Sequence, residues 1–159
     1  MPTIKKKHIG DKQFGGFTPY GNLTTYRATL QTNAAGAVIN ADSTAPVAAG
    51  DQIVLELLPE GYLLEDAQLI VSIGMTATIT GSLGFVYADG VDSTDAPQDA
   101  AYFGTGLNLA AAGRVRTASS KAPVRLAKPA FLVLTTAVAA NNKASRIDVI
   151  VHGERMGPN

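Results

Sequence analysis

From Thr24 onward apolar and polar residues alternate with a period of two. Tyr26, Ala28 and Leu30 are interleaved with Thr25, Arg27, Thr29 and Gln31, the pattern of a half-buried strand. Residues 33–50 are a loop of small residues containing Pro46, with room for a short strand at 37–39. The alternation returns at 52–58, with Ile53, Leu55 and Leu57 on one face and Gln52, Val54 and Glu56 on the other. Leu58-Pro59-Glu60-Gly61 then reads as a type I turn, with Pro second and Gly fourth. Leu69, Val71 and Ile73 predict the next strand, and Thr76–Thr80 another that Gly81 ends. Leu83, Phe85 and Tyr87 follow, then an acidic loop from Asp89 to Ala101. Residues 102–120 admit one helical turn at 107–112 or a loop, and 123–126 a short strand. Ala130–Val138 and Ile147–His152 are strongly β, joined by a turn at Asn141-Asn142-Lys143.

This predicts an all-β protein, a β-sandwich or jelly roll of about eight antiparallel strands. Residues 23–159 form that domain. Residues 1–22 read as an extended N-terminal arm, because Gly10, Gly15, Gly16, Pro19 and Gly21 break any period. Its apolar residues, Ile4, Ile9, Phe14, Phe17 and Tyr20, are spaced irregularly and cannot make a core of their own.

Composition narrows the function. The 159 residues contain no Cys, which removes disulfides, Cys-ligated zinc, iron–sulfur clusters and thiol nucleophiles together. Ala accounts for 25 residues and Thr for 15, while charged residues are only 16%, a small-residue composition suited to strands and loops. No apolar segment approaches the length of a spanning helix, and no apolar stretch follows the basic start. Residence in a cytoplasm after synthesis is the expectation.

The zero net charge is a cancellation. Residues 1–27 carry +4, the stretch between Arg27 and Arg114 carries −10 without one Lys or Arg, and Arg114 onward carries +6. Such blocks complement one another within a fold or between identical copies, or interleave on one surface. Neither the balance nor the triplet Lys5-Lys6-Lys7, which lacks interleaved Arg or aromatics, marks a nucleic-acid binder.

Candidate chemistry is thin. His8 and His152 are the only histidines, and no Ser is flanked by Gly two positions before and after, as a nucleophile elbow requires. Neither Gly74–Gly84 nor Gly104-Thr105-Gly106 has the residues of a phosphate loop. Asp89, Asp92, Asp95 and Asp99 offer oxygen ligands to a cation such as Ca²⁺, but not at EF-hand spacing, and aspartates also cap loops. No enzyme, cofactor or metal site is expected.

The run Gly50-Asp51-Gln52-Ile53-Val54-Leu55-Glu56-Leu57-Leu58-Pro59-Glu60-Gly61-Tyr62, followed by Asp66-Ala67-Gln68-Leu69-Ile70-Val71, resembles a stretch in small structural proteins of tailed bacteriophages. The final strand Ile147-Asp148-Val149-Ile150-Val151, after a small polar turn, is similar as well. The nearest type is the capsid decoration, or cement, protein. The resemblance covers a minority of the chain, and Leu-Pro-x-Gly turns occur in other sandwiches too. It implies a virion protein, made in the host cytoplasm, that binds the major capsid protein on the outer surface of the head. It also implies a dimer or trimer, and neither nucleic acid nor membrane as partner. The arm residues Ile4, Lys5, Lys6, Lys7, Ile9, Lys12, Phe14, Phe17 and Tyr20 are the expected capsid contacts, on the bottom-up ground that an arm orders on a partner. Three other readings stand beside this one: a tail-tube, tail-tip or head-completion protein; a carbohydrate-binding sandwich, disfavoured by the absence of Trp; and an enzyme.

Overall fold

The computed structural model describes residues 3–7 and 23–157. They contain ten strands: β1 (Thr3–Lys5), β2 (Leu23–Thr32), β3 (Gln52–Leu58), β4 (Tyr62–Ile73), β5 (Thr80–Tyr87), β6 (Asp99–Asn108), β7 (Gly113–Arg116), β8 (Val124–Arg125), β9 (Ala130–Ala137) and β10 (Ser145–Arg155). One sheet has the order β1-β3-β9-β5-β6, the other β2-β10-β4-β7, with β8 also pairing with β4. The two sheets pack as a sandwich because each strand has one apolar face to bury. Leu30, Leu69 and Val149 of the second sheet and Ile53, Phe85 and Leu134 of the first belong to one continuous core. Each such side chain contributes about 1.5–3 kcal/mol relative to exposure.

Where the structure departs from simple alternation, the cause is local. Ile53 and Leu55 enter the core as expected, but Leu58 rather than Leu57 follows them. A register shift between Val54 and Glu56 inserts one residue and reverses the parity of the strand end. Ile73 is likewise outside the core, past a shift between Arg146 and Ile147 on its partner strand. Thr76–Ile79 is not a strand, and Gly81 lies inside β5 instead of ending a strand before it. The Thr76 backbone is held by Asn141, the Ile79 N–H returns to the Thr76 carbonyl, and Thr78 takes φ +73°. The segment left open at 102–120 is neither helix nor simple loop: β6 and β7 occupy it, divided by a turn at 109–112.

The β5–β6 pairing is interrupted. Leu83 faces Gly104 but Phe85 faces Asp99, so four residues of β6 bulge opposite Gly84. The bulge crosses Gly84 so closely that a Cβ there would stand 2.1 Å from the Asp99 carbonyl oxygen. One pair also departs from the antiparallel expectation: β1 runs parallel to β3 at the edge of the first sheet.

Candidate interaction surface

Of the arm residues singled out above, Ile4, Lys5, Lys6 and Lys7 are described; Ile9, Lys12, Phe14, Phe17 and Tyr20, and also His8, lie outside the described residues. The four that are described sit in a slot. On one side β1 pairs with β3, with Thr3 opposite Gln52, Ile4 opposite Ile53 and Lys5 opposite Val54. On the other side the chain at 40–42 closes over it. The Asp42 N–H donates to the Lys5 carbonyl at 2.9 Å, the Lys5 N–H donates to Asp42 Oδ1 at 2.9 Å, and the Lys7 N–H donates to the Asn40 carbonyl. Asn40 adopts φ +60° here, a conformation that Asn tolerates better than most residues.

The side chains divide by parity. Ile4 points inward and joins the core at 2% exposure, beside Ala41 and Val47 in the same cluster. Lys5 points outward, its ammonium 5.8 Å from the centre of the Phe131 ring. Lys6 reaches across to the other sheet, its Nζ donating to the Thr29 carbonyl at 2.7 Å. Thr29 belongs to β2, an edge strand, so Lys6 covers one backbone acceptor of that edge. Lys6 and Lys7 also line a hollow between the sheets with Arg27, Gln31, Asn40 and Glu56. Asn40 and Asp42 were not singled out in the sequence. Their only signal is that both are turn-forming residues in a small-residue loop.

The charge blocks meet within the fold. Arg116 Nη2 pairs with Asp66 Oδ2 at 2.6 Å and Lys128 Nζ with Asp89 Oδ2 at 2.7 Å, and Lys121 pairs with Asp99. All three join the acidic middle of the chain to its basic C-terminal third. These pairs are solvent-exposed, where screening and side-chain entropy leave an ion pair little net effect on stability.

The acidic loop is occupied by its own bonds. The Lys128 ammonium holds the Asp89 carboxyl below the usual carboxylate range, and the Gln98 and Ser93 amides do the same for Asp92. Among the described residues no group of three or more His, Asp or Glu is arranged to hold a metal ion. His152 lies on the outer face of the second sheet, between Thr25 and Asp66 in register. Its Nδ1 is 3.3 Å from Thr25 Oγ1, and Asp66, Gln68 and Arg116 line a shallow hollow beside it. Asp66 is in turn held by Arg116, whose Nε and Nη2 both donate to Oδ2.

The ends of the sandwich carry exposed apolar residues. Leu23 (79% exposed), Val91 and Met156 lie at the end where β3 turns into β4. Ile73 and Val138 lie at the opposite end. Val138 is 70% exposed and has φ +79°, and the Ala139 N–H donates to the Ala137 carbonyl across it. That is a γ-turn of the strained kind, here built around a β-branched residue. Among the described residues no helix is long and apolar enough to cross a membrane.

No protein-family model and no curated protein matches the chain. Solved structures do. A chain in the capsid of Ralstonia phage GP4 is similar over 98% of this chain and 99% of that one, with 18% identity and a TM-score of 0.65. A chain in the capsid asymmetric unit of cyanophage Pam1 is similar over 90% of this chain and 92% of that one, with 11% identity and a TM-score of 0.56. At these identities the likeness is one of fold: a two-sheet all-β architecture shared, end to end, with chains of phage capsids.

Proposed function

We propose that this protein is a non-enzymatic structural component of a phage virion, and that it decorates the capsid by binding the outer surface of the major capsid protein. The observation that carries the reading is the end-to-end similarity to a chain of nearly equal length in the capsid of Ralstonia phage GP4. A match that uses nearly all of both chains supports the same kind of part rather than a shared fragment. The surface supports it. Aspartates of the middle block are engaged with lysines and arginines of the chain itself, and polar and apolar groups are distributed over both ends and one outer sheet face. Such a distribution suits contact at several points.

Within this reading the arm residues take two roles. Ile4 and Lys6 act as anchors that hold the segment to its own domain, while Lys5, Lys7, Ile9, Lys12, Phe14, Phe17 and Tyr20 are proposed to meet the capsid. The test is reconstitution. Heads assembled without this protein are mixed with it, sedimented, and imaged with and without it. Saturation at hundreds of copies spread over the head supports decoration. Binding at a few copies, or at the neck or tail only, would replace it with a head-completion or tail role.

A further inference from the structure

The two broad faces of the sandwich are not alike. On the outer side of the first sheet Val54 and Val133 lie side by side in register, outside the core cluster, yet are 1% and 0% exposed, so that face is closed. The outer side of the second sheet is open. Leu69, Val71, Val149 and Val151 point into the core, so the residues between them in β4 and β10 point outward. Ile70 and Ile150 stand there half-buried, with Asp148 opposite Ile70 and Gln68 opposite Ile150.

Four exposed arginines surround this apolar centre. Arg27 of β2 faces Ile150, Arg114 of β7 faces Ile70, Arg116 faces Gln68, and Arg146 lies near the start of β10. The aspartates of the face are already engaged: Asp66 accepts from Arg116, and Asp148 accepts from the Thr29 hydroxyl at 2.6 Å and from Arg146 at 3.4 Å. Arg114 donates only to the neutral amide oxygen of Gln68, at 2.9 Å. Among the described residues neither Arg27 nor Arg114 has a carboxylate partner. Two guanidinium groups without counter-charges therefore flank the isoleucines, on β2 and β7, three strand spacings or roughly 14 Å apart. An apolar centre with arginine around it is the make-up of a protein interface, and a guanidinium matches a carboxylate in a planar, two-pronged fashion. A phosphate chain suits the face less well, since it would lie across the isoleucines and the two aspartates.

We propose that the outer face of the second sheet docks an acidic protein surface, which seats an apolar side chain on Ile70 and Ile150 and sets carboxylates against Arg27 and Arg114. The identity of that surface as the exterior of the head rests on the capsid reading above.

Heads assembled without the protein are incubated with it at increasing concentration, sedimented, and the bound fraction is measured. Four chains are compared: the parent, Arg27→Glu/Arg114→Glu, Ile150→Thr, and Lys128→Glu, which reverses a charge on the loop before β9, away from this face. All the arginine and lysine changes are at solvent-facing groups, and circular dichroism verifies that each variant keeps the β signal. The arginine pair variant should need about tenfold more protein for half-saturation. Parent binding should weaken from about 50 mM to about 500 mM NaCl, and that of the pair variant much less. Ile150→Thr should weaken binding without changing its salt dependence, and Lys128→Glu should bind as the parent does. Parent-like binding by the pair variant or by Ile150→Thr overturns the proposal and leaves the capsid reading intact. An equal loss in Lys128→Glu marks a general charge effect and also overturns it. A parent that does not sediment with heads overturns the capsid reading and the docking proposal together. Retardation of a duplex DNA oligonucleotide by the parent but not by the pair variant would assign the face to nucleic acid and overturn the proposal.

Discussion

Asn141 is fully buried, and its side-chain amide joins three separated parts of the chain at one end of the sandwich. Oδ1 accepts from the Thr76 N–H at 3.0 Å, while Nδ2 donates to Thr32 Oγ1 at 3.0 Å and to the Lys143 carbonyl at 2.9 Å. The Thr76 hydroxyl also lies 3.2 Å from Oδ1, but its single hydrogen has a shorter route to Asn142 Oδ1 at 2.7 Å. Three bonds are therefore secured, each contributing about 1 kcal/mol net; their loss strands the Thr76 N–H, while the Lys143 carbonyl keeps the Thr32 hydroxyl as a donor at 2.9 Å. Asn141→Ala should cost about 3 kcal/mol, which lowers the melting temperature of a domain of this size by about 6–12 °C. Asn141→Asp is the sharper variant. It keeps the acceptor for Thr76 but turns an oxygen toward the Lys143 carbonyl, so its buried carboxyl favours the protonated form. A group whose pKa is raised on folding binds its proton more tightly in the native state, so stability falls as pH rises through the folded value. Urea titrations from pH 4 to pH 8 should show Asn141→Asp losing stability over that range relative to the parent, while Asn141→Ala runs parallel to it. A cost below about 1 kcal/mol for Asn141→Ala, or parallel profiles for Asn141→Asp and the parent, would refute the reasoning.

Other expectations follow from single positions. Val138→Gly removes the strain of a β-branched residue at φ +79° and surrenders little burial, so thermal denaturation should shift upward by an amount equivalent to about 1 kcal/mol. A fall in melting temperature would mean that the exposed valine contributes more than its geometry implies. Gly84→Ala puts a methyl group into the backbone of β6 and should cost about 3 kcal/mol, with hydrogen exchange rising first in residues 99–104. Burial pushes up the Tyr62 and Tyr26 hydroxyls, and the Tyr62 hydroxyl donates to the Thr24 carbonyl at 2.7 Å. Their contribution to stability is whole below the ordinary value of about 10 and is lost as pH rises beyond it, so the melting temperature should drop between pH 10 and 11. A flat profile there would contradict it. Asp89 and Asp92, held low by Lys128 and by loop amides, act with the opposite sign: their contribution is present above about pH 4 and is lost below it. Asp92→Asn should therefore blunt acid denaturation.

Most strands were legible because alternation survives wherever a strand is regular. Gln52–Leu58, Ala130–Ala137 and the core of Ile147–His152 coincide with their sequence patterns. The failures share a physical cause. At Leu57 and Ile73 a bulge or register shift on one strand reverses or ends the inward parity, and a shift depends on the partner strand, which a local pattern does not contain. Residues 76–79 look like a strand by composition, yet hydrogen bonds from Asn141 and Asn142, far along the chain, hold them as a turn. The arm divides in the same way. Glycines around it suggested a segment outside the core, but a single well-placed Ile4 facing a gap beside β3 was enough to draw residues 3–5 into the sheet. The slot itself was invisible, since Asn40 and Asp42 act there mainly through backbone groups, which every residue possesses.

The second sheet is ordered so that β10 lies between β2 and β4, paired to β2 from Ser145–Thr32 through to Glu154–Leu23. A growing polypeptide emerging from a ribosome therefore holds β2 and β4 without the strand that joins them until synthesis has passed Arg155. The closing of that sheet is a late event with a large loop to fix, so folding should be slow and largely post-translational. Damage at the two ends of the domain is correspondingly unequal. Losing β1 strips an edge, whereas a stop codon before Ser145 removes the middle of a sheet and leaves a chain with two sticky strands and no native state to reach.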